Sequence, residues 1–228
     1  MHYITFIILF LLILIIILII HQYIQDKKIL ETVTNKYRGT STERLMVLKL
    51  LKSGISNKVI FHDLYLKKSG NQFCQIDIVV ATKVGIVVFE IKKYNGWIFG
   101  LANQSQWTQL LAYGREKYRF YNPILQNSKH IQDLKNQLPQ FEDIPFYSVI
   151  VFFGNCTFKN LDYLPKNTYL VKSFDAINAF NEILERNQPA KYTDKREIVN
   201  LLQSASLNGE DLEILETHIS NIKRNLRY

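Results

Sequence analysis

The sequence predicts an α/β fold: a mixed β-sheet flanked by helices and preceded by one N-terminal transmembrane helix. Three observations point there. Tyr3–Ile20 is an eighteen-residue run without a charge. Two apolar, β-branched runs, Phe73–Ala81 and Gly85–Lys92, are joined by a short connection, the signature of a hairpin. Strand-like and helix-like patterns then follow in the order helix, three strands, helix, two strands and helices, which suits an α/β or α+β sandwich around a mixed sheet. The 228 residues suit one domain with an appendage, and 47% hydrophobic residues are enough for a core and argue against disorder. Cys74 and Cys156 are the two cysteines, so a disulfide scaffold and the cysteine-based zinc folds are excluded.

At 1.5 Å per residue the apolar run spans about 27 Å, the thickness of a bilayer core. A cleaved signal would have a cationic start and small residues at a cleavage site. Here Met1 and His2 alone precede the run and His21-Gln22-Tyr23 follows it, so an uncleaved anchor is expected. Lys27, Lys28, Lys36 and Arg38 follow the run and no Lys or Arg precedes it. The positive-inside tendency therefore predicts a single-pass protein of the cell membrane, N-terminus outside and C-terminal domain cytoplasmic.

Gln22–Lys36, with spaced Ile24, Ile29, Leu30 and Val33, reads as a helical stalk, and Gly39 breaks the pattern. Thr40 and Glu43 have capping-box spacing and open a helix to about Lys52, which Gly54 ends. Val59–Leu66 reads as a strand and Lys67–Asn71 as a turn before the hairpin. Asn95-Gly96 is another turn, followed by strand material at Trp97–Phe99 and Gln106–Leu111. Asn122 caps a helix that Pro123 opens and that ends near Leu138. Tyr147–Phe153 is a buried strand and Tyr169–Lys172 a shorter one. Ser173–Arg186, Asp194–Gln203 and Gly209–Arg224 read as helices, the last of them a packing or oligomerising appendage that admits a homo-oligomer.

Charge is unevenly spread. Residues 64–140 hold 10 Lys/Arg against 4 Asp/Glu, whereas residues 141–228 hold 10 against 12. The middle block fits a polyanion, an anionic membrane surface, or an ordinary solvated basic face. Two of its four acids, Asp77 and Glu90, lie inside the apolar hairpin strands. A buried carboxylate is costly unless it is paired, hydrogen-bonded or bound to a metal. With the turn centred on Lys83-Val84, paired positions sum to 167, which sets Asp77 opposite Glu90 on one face. Lys92, two residues on, shares that face. Facing carboxylates repel unless a cation lies between them, and Mg²⁺ suits carboxylates, waters and a substrate phosphate. The bland alternative is an acid paired structurally with Lys92.

These residues resemble a known family. Gln75–Val80, Gly85–Lys92 with Gly96 and Ile98, Gly39–Glu43 and Asn122–Asn127 are similar, in order, to the four segments of the NERD (nuclease-related) domain of the PD-(D/E)xK nuclease superfamily. The resemblance covers roughly Tyr37–Gly154 and implies a restriction-endonuclease-like sheet. It implies that Asp77 and Glu90 hold Mg²⁺ (or Mn²⁺), and that Lys92 positions the attacking water. It implies too that Glu43 approaches the metal or orients a ligand, and that Gln126 completes the site near the scissile phosphate. Ile76 stands where the superfamily name has proline, and Thr42 where the family often has glycine. Glu43 also has the capping box as a rival explanation, and Gln126 a solvated helix start.

The expected organisation is an anchor at 1–22 crossing the lipid bilayer through residues 3–20, a stalk at 23–36, the nuclease-like domain at 37–154 and an extension at 155–228. The expected activity is Mg²⁺-dependent phosphodiester hydrolysis of nucleic acid, DNA or RNA; the alternative is an inactive nucleic-acid- or protein-binding module at the membrane. Tyr113–Tyr121 interleaves cations and aromatics and reads either as a nucleic-acid contact or as a strand whose aromatics face the core. Trp97 and Trp107 read as packing residues, and His130 lies one turn after Gln126 on the same helix face. His62 and His218 show no ligand spacing. No phosphate-binding glycine loop is present, which argues against ATP-driven activity.

Overall fold

The computed structural model describes residues 2–68, 70, 72–161 and 163–225. Of the turn expected at Lys67–Asn71, Ser69 and Asn71 lie outside the described residues. Helix α1 (His2–Leu30) is long and apolar enough to cross a membrane, and its apolar run is exposed on every face. The expected stalk helix stops at Leu30, where the β-branched Thr32, Val33 and Thr34 favour a turn over a further helical one. This end of the chain is packed: Ile29, Leu30 and Val33 lie against the domain core, and Asp26 pairs with Lys52 at 2.9 Å.

Helix α2 (Ser41–Lys52) follows, then strands β1 (Ile60–Lys67), β2 (Phe73–Thr82) and β3 (Gly85–Lys93) as an antiparallel meander. After β4 (Gly96–Phe99), β5 (Gln106–Leu111), β6 (Glu116–Tyr121) and helix α3 (Pro123–Lys135), the chain returns to β7 (Phe146–Phe153), parallel to β3. Next come β8 (Cys156–Lys159), β9 (Thr168–Lys172) and helices α4 (Ala176–Arg186), α5 (Lys195–Asn208) and α6 (Leu212–Asn225). A single sheet was the expectation. The structure has two: a five-stranded mixed sheet in the order β1-β2-β3-β7-β9 and a four-stranded mixed sheet in the order β6-β5-β4-β8. The second exists because β8 returns parallel to β4, 60 residues after it in sequence, a pairing that no local pattern announces.

The larger sheet is covered on both faces. Met46, Val47 and Leu50 of α2 and Phe180 and Ile183 of α4 pack on Val87, Phe89 and Val149. On the other face Leu134 of α3 and Ile198, Leu202 and Ala205 of α5 pack on Val79 and Val88. Strands buried on both faces read as continuous apolar runs, as β3 and β7 do. Ile98 and Trp107 of the smaller sheet join Ile124, Ile150 and Phe152 in a third cluster, which fixes the two sheets together. Both cysteines are free and buried.

Candidate active site

The hairpin sets the geometry. Thr82 pairs with Gly85 and Ile78 with Phe89, so the register sums to 167 and, one position past its last pair, sets Asp77 opposite Glu90. The ladder ends at Ile78. Beyond it the Asp77 carboxylate takes the place of a backbone acceptor, receiving the Ile91 N–H through Oδ2 at 2.7 Å. The neighbouring strand explains the departure. Asp63, across from Asp77 on β1, has φ +54°, left-handed and unfavourable for a residue with a Cβ. On either side of this pair the alternation slips: Phe61 and Leu64 enter one core cluster, as do Val79 and Ile76. The slip is clamped by Arg38, whose Nη2 donates to the carbonyls of His62 (3.0 Å), Asp63 (2.8 Å) and Ser206 (2.7 Å). Helix α5 thus helps hold the strand break that displaces Asp77 from the ladder.

Glu90 is fully buried. Lys92 Nζ lies 2.6 Å from its Oε1, and His130 Nε2 lies 3.3 Å from its Oε2. Lys92 also donates to Gln126 Oε1 at 3.0 Å, so β3 and α3 bring Glu90, Lys92, Gln126 and His130 together. Neither Glu90 oxygen receives a well-formed hydrogen bond among the described residues, nor does Oε2 of Glu43. Burial works against the Lys92 charge, but Glu90 outweighs it and holds the ammonium pKa above the ordinary value. Asp77 moves the other way from an ordinary carboxylate: burial, then the charges of Glu90 and Glu43, push its pKa well up.

Glu43 forms the cap of its helix and also reaches inward. Its backbone N–H donates to Thr40 Oγ1 and Thr40 Oγ1 donates to its Oε1 at 2.7 Å, which closes the cap of α2. Its Oε2 turns inward to His62 Nε2, 3.4 Å away. Burial raises the Glu43 pKa, but the bonds from His62 and Thr40 prevail and bring it below the usual value. Gly39 makes room for this pair. It has φ +56°, and a Cβ there would collide with Glu43 Oε2 and come within 2.7 Å of His62 Nε2. His62 is in turn bonded to Thr34 Oγ1 at 2.8 Å, just past the end of α1.

The structure thus joins four of the five expected residues, Asp77, Glu90, Lys92 and Gln126, on one side of β2 and β3. It brings Glu43 close enough from α2 for its charge to act on Asp77. Sequence reasoning missed His62, Thr34 and Arg38, whose side-chain partners lie 19 or more positions away, and gave His130 only its helix-face position. Among the described residues no three His, Cys, Asp or Glu side chains form a closed cage for an ion. Asp77 and Glu90 nonetheless suit a hard divalent cation, which takes one or two carboxylates and fills its other positions with water and phosphate oxygens. The buried oxygens agree: among the described residues Glu90 Oε1 and Oε2 and Glu43 Oε2 have nitrogens close by but no well-formed hydrogen bond, and a cation would neutralise the repulsion that raises Asp77. Beside the site, Cys74, Tyr121, Gln126, His130 and His218 line a cavity of about 420 Å³.

A model of the nuclease-related domain, NERD, matches residues 38–153, just over half of the chain and all of the strands that build the site. The chain belongs to the NERD family. It is 26% identical over 181 residues to an uncharacterised protein of Bacillus anthracis, covering 78% of this chain and 81% of that one. No solved structure matches. The NERD match begins at Arg38 and ends at Phe153, so the α5 side of the Arg38 clamp lies outside it.

Proposed function

We propose that this NERD-family chain is a membrane-anchored, Mg²⁺-dependent nuclease, with α1 spanning the bilayer once and the domain in the cytoplasm. The observation that supports it most is the facing pair Asp77 and Glu90 with Lys92 2.6 Å from Glu90. Asp77 and Glu90 would hold Mg²⁺ or Mn²⁺; when bound, the ion would polarise a phosphoryl oxygen and lower the pKa of a water. Lys92, held charged by Glu90, is suited to orient the attacking water and to stabilise negative charge on the phosphate rather than to take a proton. Gln126 fixes the Lys92 ammonium through Oε1, and its amide Nε2 can donate to a phosphate oxygen. Glu43, oriented by Thr40 and His62, adds negative charge from the flank.

The test is single-turnover cleavage of DNA and RNA by the full chain in detergent, with Mg²⁺ or Mn²⁺. Lys92→Ala should lower turnover by about a hundredfold or more, the usual loss when one such group is removed, with little change in substrate affinity. A parent protein that binds nucleic acid yet never cleaves it with either metal would establish a binding module instead.

A further inference from the structure

The smaller sheet has an inner and an outer face, and they differ in chemistry. Inward, Ile98 and Trp107 are buried, and Phe120 of β6 stacks on Tyr94 with ring centroids 4.2 Å apart. Period-two alternation sends the neighbours of these residues outward. The register aligns them: Trp97 with Leu110 and Lys117, Phe99 with Thr108, Arg119 and Lys159, and Gln106 with Tyr121. Lys117, Arg119 and Lys159 are exposed, Trp97 is 41% and Tyr121 52% exposed, and Lys159 Nζ sits 5.8 Å from the Trp97 ring centre. The single acidic residue in these four strands, Glu116, is exposed at the start of β6, alternates to the side opposite these cations and accepts from Tyr118. Of the two readings open for Tyr113–Tyr121, the one with its aromatics in the core holds for Phe120 alone.

We infer that this outer face is a docking surface for single-stranded nucleic acid, which it delivers to the site. The inference rests on the nuclease reading and adds the substrate's strandedness and path. Three cations with no acid among them complement a phosphate backbone. Trp97, Phe99 and Tyr121 place aromatic rings at three levels of the sheet, and stacking needs bases that are not already stacked and paired in a duplex. The path is continuous with the chemistry: Tyr121, at one end, lines the same cavity as Gln126 and His130. At the other end Trp97, Leu110 and Tyr113 line a second cavity of about 450 Å³, wide enough for a base. Tyr113 there is 97% exposed.

Anisotropy of a labelled single-stranded 15-mer and of a duplex, titrated with the full chain in detergent and EDTA over a range of salt, tests this. Arg119→Gln with Lys159→Gln should weaken single-strand binding at least tenfold at low salt. It should reduce the slope of log affinity against log salt by about 1.4, the share of two phosphate contacts on a single strand. Trp97→Ala should weaken single-strand binding between about 5- and 150-fold, the range for losing one stacked base, and leave duplex binding unchanged. Thermal melts show that each variant is folded, and an iodouracil-substituted strand should photo-crosslink the unaltered protein at Trp97 or Tyr121. Unchanged affinity in the folded variants, equal losses for duplex, or crosslinks confined to other surfaces overturn the inference. So does a loss seen only toward phosphatidylserine vesicles, which would make this a membrane-facing surface. Binding through this face without any cleavage refutes the nuclease reading and leaves the docking surface standing; cleavage with unaffected binding does the reverse.

Discussion

Replacing Asp77 by Asn isolates the electrostatics of the site from its shape. The Asn side chain can still accept the Ile91 N–H through Oδ1, so the strand end is preserved while one negative charge is removed. Directly opposed strand residues have Cβ atoms about 5 Å apart. Two unit charges at that separation repel by about 3 kcal/mol at an effective dielectric of 20. Asp77 is buried enough to raise its pKa yet keeps some contact with solvent, so roughly 1–2 kcal/mol of this should survive solvent screening. Without metal, Asp77→Asn should therefore raise the melting temperature by about 2–8 °C, given roughly 2–4 °C per kcal/mol for a chain of this size. The sign with pH follows from the raised Asp77 pKa. The folded state holds its proton more tightly than the unfolded chain does, so the parent loses stability as pH rises from the ordinary carboxylate range through the raised value. The advantage of Asn should thus vanish in acid and be fully present above that value. Mg²⁺ should invert the order. At a hundredfold excess over its dissociation constant a ligand of the folded state adds about 2.7 kcal/mol to the parent, and the variant should gain none. Melts of the full chain in detergent, in EDTA and in Mg²⁺ at several pH values, read all of this. A variant less stable than the parent in EDTA, or equal gains from Mg²⁺ in both proteins, refutes the reasoning.

Gly39→Ala should destabilise the domain by at least about 1 kcal/mol from the left-handed backbone alone and should also weaken Mg²⁺ binding, because the new Cβ displaces Glu43 and His62; melts and calorimetry check both. His130→Ala should leave the buried Glu90 with Lys92 as its remaining side-chain nitrogen neighbour and cost about 1–3 kcal/mol of stability in EDTA, a loss that Mg²⁺ restores in part; equal losses with and without metal would show a purely structural histidine. The protein should sediment with membranes, resist extraction by high salt, and expose its C-terminus to protease only when the cytoplasmic side is opened; recovery in the soluble fraction refutes the anchor.

What the sequence revealed of this site was what lies close along the chain. The pairing of Asp77 with Glu90 could be worked out because a two-residue turn at Lys83-Val84 fixes a register, and a register fixes a face. The Thr40–Glu43 cap and the Asn122-Pro123 helix start were legible for the same reason, since each is completed within three residues. The second sheet was not, because the pairing of β4 with β8 spans 60 residues and leaves no local trace. Nor was His62: an isolated histidine in an apolar strand has no spacing to betray it, and its partners Thr34 and Glu43 meet it from two other elements. The strand break is the clearest case. Nothing in Phe61–Leu66 as a string tells of a left-handed Asp63, since its conformation is held by Arg38 from 25 positions upstream and by Ser206 from 143 positions downstream of Asp63. Yet that break lies beside the point where Asp77 leaves the ladder to accept the Ile91 N–H. The candidate carboxylates and lysine are local to one hairpin, whereas the residues that hold their surroundings come from just past the end of α1, from α2 and from α5. A variant that severs the Arg38 clamp should therefore damage the site without touching a single one of its carboxylates.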